Sequence, residues 1–248
     1  MSLAALEIVG PVATLTLCRP EARNALSLEL ITALRARVDE LARREDVTVL
    51  VMRGEGKAFC AGMDLKAVLD DPAAPGLLLG ALAELTIALR ALPMVSVAVV
   101  HGAAIGGGCG LSCVCDIALT HAESRMGFPE VDLGVCPAVV APWLVRKIGP
   151  GRARRVLLMG GVMSGAEAHA LGMVDQIAPT QADLAAMTDV LVRRLSQSSG
   201  PAVRETKRLL NRLDGEELAA QVRLGAEVSA RVLASEATRA TLRAKLGK

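Results

Sequence analysis

Ile105-Gly106-Gly107-Gly108-Cys109-Gly110-Leu111-Ser112-Cys113-Val114-Cys115-Asp116 follows closely on the apolar run Val95-Ser96-Val97-Ala98-Val99-Val100. The apolar run predicts a buried strand. Three consecutive glycines after it let backbone approach a ligand and take positive φ without a Cβ clash. The segment beyond is apolar enough to start a helix, whose unpaired N–H groups would face that ligand. A strand that delivers bare amides to a helix start is a place to hold negative charge, on an anion or on a developing oxyanion. The flanks are apolar, which speaks against a merely flexible loop.

Strand-then-helix alternation recurs outward from this point. Ala5 to Cys18 alternates around Gly10-Pro11 and predicts a hairpin. Ser27 is placed to cap a helix from Leu28 to Arg44, with Leu30, Leu34, Val38 and Leu41 on one face. Asp46 to Met52 predicts a short buried strand. A loop over Asp70–Gly76 leads into a helix that Pro93 ends after Leu92. Strands are expected at Ile117–Thr120 and Val174–Ile177, and helices at Ala138–Ile148, Gly151–Met159 and from Ala166. Beyond Gln181 the chain reads as helical and charged, broken over Ser196–Pro201 and closing with helices over Ala202–Leu213 and Glu216–Leu246. The pattern predicts an α/β fold with mainly parallel strands and an all-helical tail. The tail's apolar stripe (Leu218, Val222, Leu224, Val228, Val232, Leu233) needs cover, from its own domain or from another copy.

Composition narrows the function classes. Apolar residues make up 52% of 248 residues and charged residues 22%, enough for a substantial core and too apolar for disorder. Phe59, Phe128 and Trp143 are the only aromatics, so the core is built from aliphatics and stacking platforms for nucleic acid are nearly absent. A net charge of +2 without a basic run argues further against nucleic acid. No apolar stretch in the sequence reaches membrane-spanning length uninterrupted, and Met1-Ser2-Leu3 lacks a signal-peptide layout. A cytoplasmic protein without membrane partners is expected. The six cysteines sit among apolar neighbours, and Cys113-Val114-Cys115 is too tight for a zinc knuckle, so buried reduced thiols and no metal are expected.

Three segments converge on one chemistry. Lys57 to Lys66 carries Ala61-Gly62-Met63-Asp64 at a strand-to-helix turn, the glycine run forms a second such turn, and Glu130 lies in a third loop. Two glycine turns can aim two backbone amides at one oxygen, and a neighbouring carboxylate can move protons. Gly110-Leu111-Ser112-Cys113-Val114 is no nucleophile elbow, and the glycine spacing fails the dinucleotide fingerprint. His101 suits a backbone hydrogen bond, and His121 and His169 look structural. Asp64 and Asp116 suit turns or helix ends better than acid–base work.

Six segments in order resemble the enoyl-CoA hydratase/isomerase (crotonase) superfamily: Arg19–Leu26, Lys57–Lys66, His101–Gly108, Cys115–Ala118, Phe128–Gly134 and Ala168–Asp175. The resemblance implies a ββα spiral core over residues 1–195 and a helical region over 196–248 that builds homotrimers, often paired into hexamers. It implies an acyl-CoA substrate, with coenzyme A entering as part of that substrate and no other cofactor. The oxyanion hole then falls on the amides of Met63 and Gly107, and the proton carrier on Glu130. Ala22, Arg23, Lys57, Ala61 and Lys66 match positions along the coenzyme A moiety. Leu82, with Leu77, Leu78 and Leu79, matches the apolar wall around the acyl group, and Cys136 a substrate-facing position.

One departure bears on the reaction. Two-carboxylate hydratases of this superfamily carry a glutamate where this chain has Gly110. A lone Glu130 suits a proton shuttle, the Δ3–Δ2 double-bond shift of an isomerase. Gly106-Gly107-Gly108-Cys109-Gly110-Leu111 with Leu133-Gly134-Val135-Cys136-Pro137-Ala138 also resembles methylglutaconyl- or isohexenylglutaconyl-type hydratases. A coenzyme A ester-binding protein that has lost catalysis is the non-enzyme alternative. On sequence alone, restoring a glutamate at position 110 tests whether the missing group limits hydration.

Overall fold

The computed structural model describes residues 2–65, 69, 73–215 and 217–247. Lys66 and residues 70–72 of the expected Asp70–Gly76 loop therefore lie outside the described residues. The chain opens with a hairpin, β1 (Ala4–Val9) and β2 (Val12–Leu17), turning at Gly10 with φ +56°. Alternation in β2 sends Ala13, Leu15 and Leu17 into the core. In parallel after β2 come β3 (Val49–Gly54), β5 (Val95–Val100), β7 (Ile117–His121) and β10 (Gln176–Ala178), completing a six-stranded sheet. Its central strands are nearly continuous aliphatic runs, as parallel strands covered on both faces should be.

A second sheet joins β4 (Ala58–Cys60), β6 (Ala103–Ile105), β8 (Arg125–Gly127) and β9 (Val162–Ser164), each three residues long. In the successive pairs β3–β4, β5–β6 and β7–β8, the first strand joins the large sheet and the second the small one. Helix α2 (Ala74–Ala91) follows the first pair and α3 (Gly107–Val114) the second. This is the expected ββα spiral. The small sheet was not foreseen, because three residues are too few to show a period.

Helix α1 (Leu28–Leu41) is capped as expected: Ser27 Oγ accepts from the Leu30 amide at 3.3 Å, and Leu30, Leu34, Val38 and Leu41 are buried. Helix α2 starts earlier than expected, at Ala74, because Pro75 fits a first helical turn, where no amide partner is required. By length and composition α2 could cross a membrane, yet Leu78, Leu82, Leu85 and Leu89 are buried within this chain's own core. Helices α4 (Ala141–Ile148), α5 (Pro150–Met159) and α6 (Gly165–Leu171) follow, then α7 (Gln181–Ser196) and α8 (Gly200–Leu213).

The single helix expected over Glu216–Leu246 is two, α9 (Leu218–Ala234) and α10 (Glu236–Leu246). Ser235 adopts extended backbone and its hydroxyl accepts from the Thr238 amide at 3.3 Å, so it caps the second helix instead of continuing the first. Helix α9 lies on α2. Within the stripe, Val222 and Leu233 are buried in this way, whereas Leu224 remains 57% exposed.

A buried ion cluster ties the tail to the core. Asp116 accepts from Lys207 Nζ at 2.7 Å, from Arg90 Nη1 at 2.6 Å and from both the amide and hydroxyl of Ser96 at 2.8 Å. Arg90 also reaches Asp214 at 2.9 Å, and Asp214 pairs with Arg146. Burial pushes the Asp116 carboxyl up, but Lys207, the Ser96 amide and Arg90 outweigh it and hold it below the usual range. Asp116 thus has the structural role expected of it. Lys207→Met is expected to cost about 2–3 kcal/mol, less than the loss of a sole partner because Arg90 and Ser96 remain. A depressed carboxyl lends stability above its ordinary pKa that is lost as pH falls through the lowered one. Urea melts at pH 7 and pH 2.5 should therefore differ less for the variant than for the wild type.

Candidate active site

Two backbone turns meet at the head of α3. In the parallel bridge between Leu26 and Met63, the Leu26 amide donates to Gly62 O at 2.7 Å and the Asp64 amide to Leu26 O at 3.0 Å. This pattern turns the Met63 N–H away from Leu26. Gly62 has φ +92°, and a Cβ there would lie 2.7 Å from Ile105 O and 3.9 Å from the Gly107 amide nitrogen. The Met63 turn is therefore stacked directly on the glycine turn. Gly107 is the first residue of α3, where an amide has no intrahelical partner. Among the described residues neither the Met63 nor the Gly107 amide donates a backbone hydrogen bond.

Each glycine of the run has its own reason. At Gly106 the backbone holds φ +52°, and a Cβ would lie 2.6 Å from Glu130 Oε1. Gly107 faces Leu26 and Leu82, and a Cβ on Gly108 would strike the Cys60 backbone, so α3 seats directly on β4. The Glu130 carboxylate thus stands over Gly106, next to the Gly107 amide. Together with Met63 they line one cavity of about 70 Å³. Its other walls include Leu79, Leu82, Val135, Cys136 and Val140, and among the described residues that line it Glu130 is the only carboxylate or cation.

Glu130 stands immediately before a short 3-10 helix over Val131–Leu133, and its carbonyl accepts from the Leu133 and Val135 amides. Its Oε2 is buried with no hydrogen-bond partner among the described residues. Burial pushes the carboxyl up to about 7, against a small opposing effect of its own backbone amide. A carboxylate poised near neutral pH, desolvated and aimed into a cavity beside two free amides is equipped to carry a proton to and from carbon.

Leu82 and Cys136 line the cavity, and so does Ala61, the residue matched to the coenzyme A moiety. Of the neighbouring leucines, Leu79 lines it, Leu78 is buried without lining it, and Leu77 is 61% exposed. Gly110 is a correction: it is fully buried and does not line the cavity, because the Val140 side chain stands in front of it. A Cβ on Gly110 would overlap Val140 Cγ1 and lie 2.9 Å from Val140 Cβ. The space that a side chain at 110 would use is already filled.

The Arg19–Leu26 loop folds against β4. The Ala61 amide donates to Arg23 O at 3.0 Å, which brings Ala22 and Arg23 beside Ala61. Arg23 and Lys57 are exposed on this side. Asn24, not singled out from sequence, is what fixes the loop. Its Nδ2 donates to Glu55 O and Ala58 O, both at 2.9 Å, while its Oδ1 accepts from the Arg19 amide. Arg23 and Asn24 both have positive φ, which Asn tolerates best among residues with a side chain. Arg19 pairs with Asp64 at 2.8 Å, so Asp64 is structural.

The remaining sequence leads are structural too. His101 Nε2 lies 3.1 Å from Gly56 O and His169 Nδ1 3.0 Å from Val174 O. Ser112 Oγ donates to Cys109 O at 2.7 Å inside α3. All six cysteines are free, and four are buried.

The sequence profile of a family described as enoyl-CoA hydratase/isomerase matches residues 7–245. A Thermus thermophilus protein provisionally called an enoyl-CoA hydratase is 36% identical over 230 residues, covering 89% of this chain and 88% of its own. The 2,3-dehydroadipyl-CoA hydratase of Escherichia coli is 30% identical over 217 residues, covering 87% of this chain and 84% of its own. The crystal structure of an enoyl-CoA hydratase from Bacillus halodurans superposes with a TM-score of 0.91 at 24% identity, over 98% of this chain and all of that one.

Proposed function

The chain belongs to the enoyl-CoA hydratase/isomerase family, and from that premise we propose a single-carboxylate enzyme that shifts the double bond of a 3-enoyl-CoA to the 2-position. The observation that carries this reading is the lone, unpartnered Glu130 Oε2 over the paired Met63 and Gly107 turns, with Val140 where a second carboxylate would need to enter. Ionised Glu130 takes a proton from C2. The C–H electron pair moves onto the thioester as an enolate, whose oxygen accepts from both amides. Glu130 then returns the same proton to C4, and the double bond ends between C2 and C3. Removing one such donor typically costs about 3–4 kcal/mol in other enzymes.

In the same reading the nucleotide end of coenzyme A lies by Ala61, Lys57 and Lys66, its pantetheine and phosphates run beside Ala22 and Arg23, and the substrate brings the only coenzyme. The exposed part of the tail helices, Leu224 included, is covered by neighbouring copies in a trimer or a pair of trimers, in the cytoplasm.

A second reading, water addition with Glu130 as the sole base, is favoured by the names of the Thermus and Escherichia relatives. Pure protein assayed with 3-hexenoyl-, crotonyl- and glutaconyl-CoA decides between them. Isomerisation of the 3-enoyl ester at least tenfold faster than hydration of any 2-enoyl ester is expected. Faster hydration selects the second reading, and binding of all three esters without turnover overturns both.

A further inference from the structure

The loop from Pro129 to Val140 supplies eight of the seventeen residues lining the cavity, Glu130 among them. Its own hydrogen bonds end early: the last internal ties before Pro137 run from the Leu133 and Val135 amides to Glu130 O and from the Gly134 amide to Val131 O. Beyond them, Gly134 O, Cys136 O and the Ala138 amide are held by side chains about 90 to 105 residues later in the chain. Ser229 Oγ, on α9 and 1% exposed, donates to Cys136 O at 2.8 Å and accepts from the Ala138 amide at 3.1 Å. Thr238 Oγ1, in the first turn of α10, donates to Gly134 O at 3.1 Å. Lys245 further along α10 donates to Asp132 O. Gly225 of α9 lies so close to Ala138 that a Cβ would overlap its carbonyl. The next residue after Thr238, Arg239, donates to Leu69 O at 2.7 Å.

We infer that Ser229 and Thr238 are positioning residues: acting through the loop backbone, they set where Glu130 stands over the Met63 and Gly107 turns. A hydrogen-bonded backbone carbonyl and amide fixed at both faces cannot drift, and a shift of about 1 Å in a catalytic group can cost a hundredfold in rate. Neither hydroxyl touches the cavity, so neither is a catalytic residue. This inference rests on Glu130 as the proton carrier.

The test compares Ser229→Ala, Thr238→Val and Thr238→Ser with wild type and Glu130→Gln, on whichever enoyl-CoA the enzyme turns over. Beside Glu130, the titratable neighbours among the described residues are Cys136, whose thiol-bearing side chain belongs to the same cavity lining, and the Cys109 thiol of α3. A hydrogen bond shared with Cys113, and burial, hold Cys109 far above its usual range, so it stays neutral. A moved acid limb of the pH profile therefore reports on the carboxylate, the acid among these groups. The expected result is a kcat about tenfold lower in Ser229→Ala and Thr238→Val with KM changed by less than about threefold, a shifted midpoint of the kcat–pH profile, and recovery of both in Thr238→Ser. A lower melting temperature with kcat and profile within about twofold of wild type overturns the inference and leaves the hydroxyls structural. Should Ser229→Ala not fold, the two Thr238 variants decide by the same readouts. Unchanged turnover in Glu130→Gln sinks the underlying assignment instead, which keeps the two failures apart.

Discussion

Glu130→Gln is expected to lower turnover by about 10²–10⁴-fold while coenzyme A esters still bind, because it removes the proton carrier without changing the shape of the cavity. The carboxamide would keep the volume beside Gly106 and leave both oxyanion amides in place. Loss confined to kcat therefore marks proton transfer, and loss confined to KM would mark a binding role and sink the assignment. The wild-type profile follows from the raised carboxyl. Glu130 must be ionised to take the first proton, so kcat/KM should fall about tenfold per pH unit below about 7 and level off above it. A midpoint near 4.5 would mean that the carboxylate is solvated in the working enzyme.

The same substitution carries a stability signature of opposite sense. A carboxyl whose folded pKa is raised lends stability that is fully present below its ordinary value near 4.5 and lost as pH rises through about 7. Wild type thus bears the cost of a buried, unpartnered charge at pH 8 and not at pH 4. Glu130→Gln is expected to gain up to about 3 kcal/mol over wild type at pH 8 relative to pH 4, read from urea melts at both. An inactive variant that is more stable at alkaline pH separates a functional carboxylate from a structural one, whose loss would destabilise.

Much of this site was legible before any coordinates, for physical reasons that differ by residue. The glycine run and the Ala61–Asp64 turn follow apolar strands, and only glycine survives where backbone stacks on backbone, as Gly62 on Ile105 and Gly108 on Cys60. Ser27, Pro93 and the aliphatic faces of α1 and α2 act within a few residues, so a local window reveals them. The small sheet acts over three residues per strand and left no period. Ser229, Thr238 and Val140 could not be found in this way at all. Each matters through a partner distant in sequence or through the space it takes, and a serine at the middle of an amphipathic helix carries no local sign of the carbonyl it will hold. Asn24 did leave a faint signal, as a residue tolerant of positive φ in a short polar loop, but its three partners span residues 19 to 58.

Gly110→Glu alone is expected to lower stability by at least about 4 kcal/mol and to yield little folded protein, rather than to restore a catalytic pair. Its Cβ would overlap Val140 Cγ1, and the branched valine has few rotamers with which to retreat. Overpacking costs about 1–3 kcal/mol, and a carboxylate forced against apolar walls without a partner adds several more. Val140→Ala would not relieve this, because the valine Cβ itself lies 2.9 Å from the new one. Val140→Gly does: residue 140 stands immediately before α4, where glycine is a tolerated cap, and the space left by the buried valine, which alone would cost about 2 kcal/mol or more, is refilled by the new side chain. In the double variant a carboxylate can reach the cavity opposite Glu130, and two such groups can share one water and its protons. The double variant should fold, and crotonyl-CoA hydration should rise at least about tenfold over Val140→Gly alone, with the pH optimum moved up by the like charge. Wild-type stability in Gly110→Glu would show that Val140 yields more readily than its packing suggests. A folded double variant without added hydration would show that the second carboxylate is not what the reaction lacks.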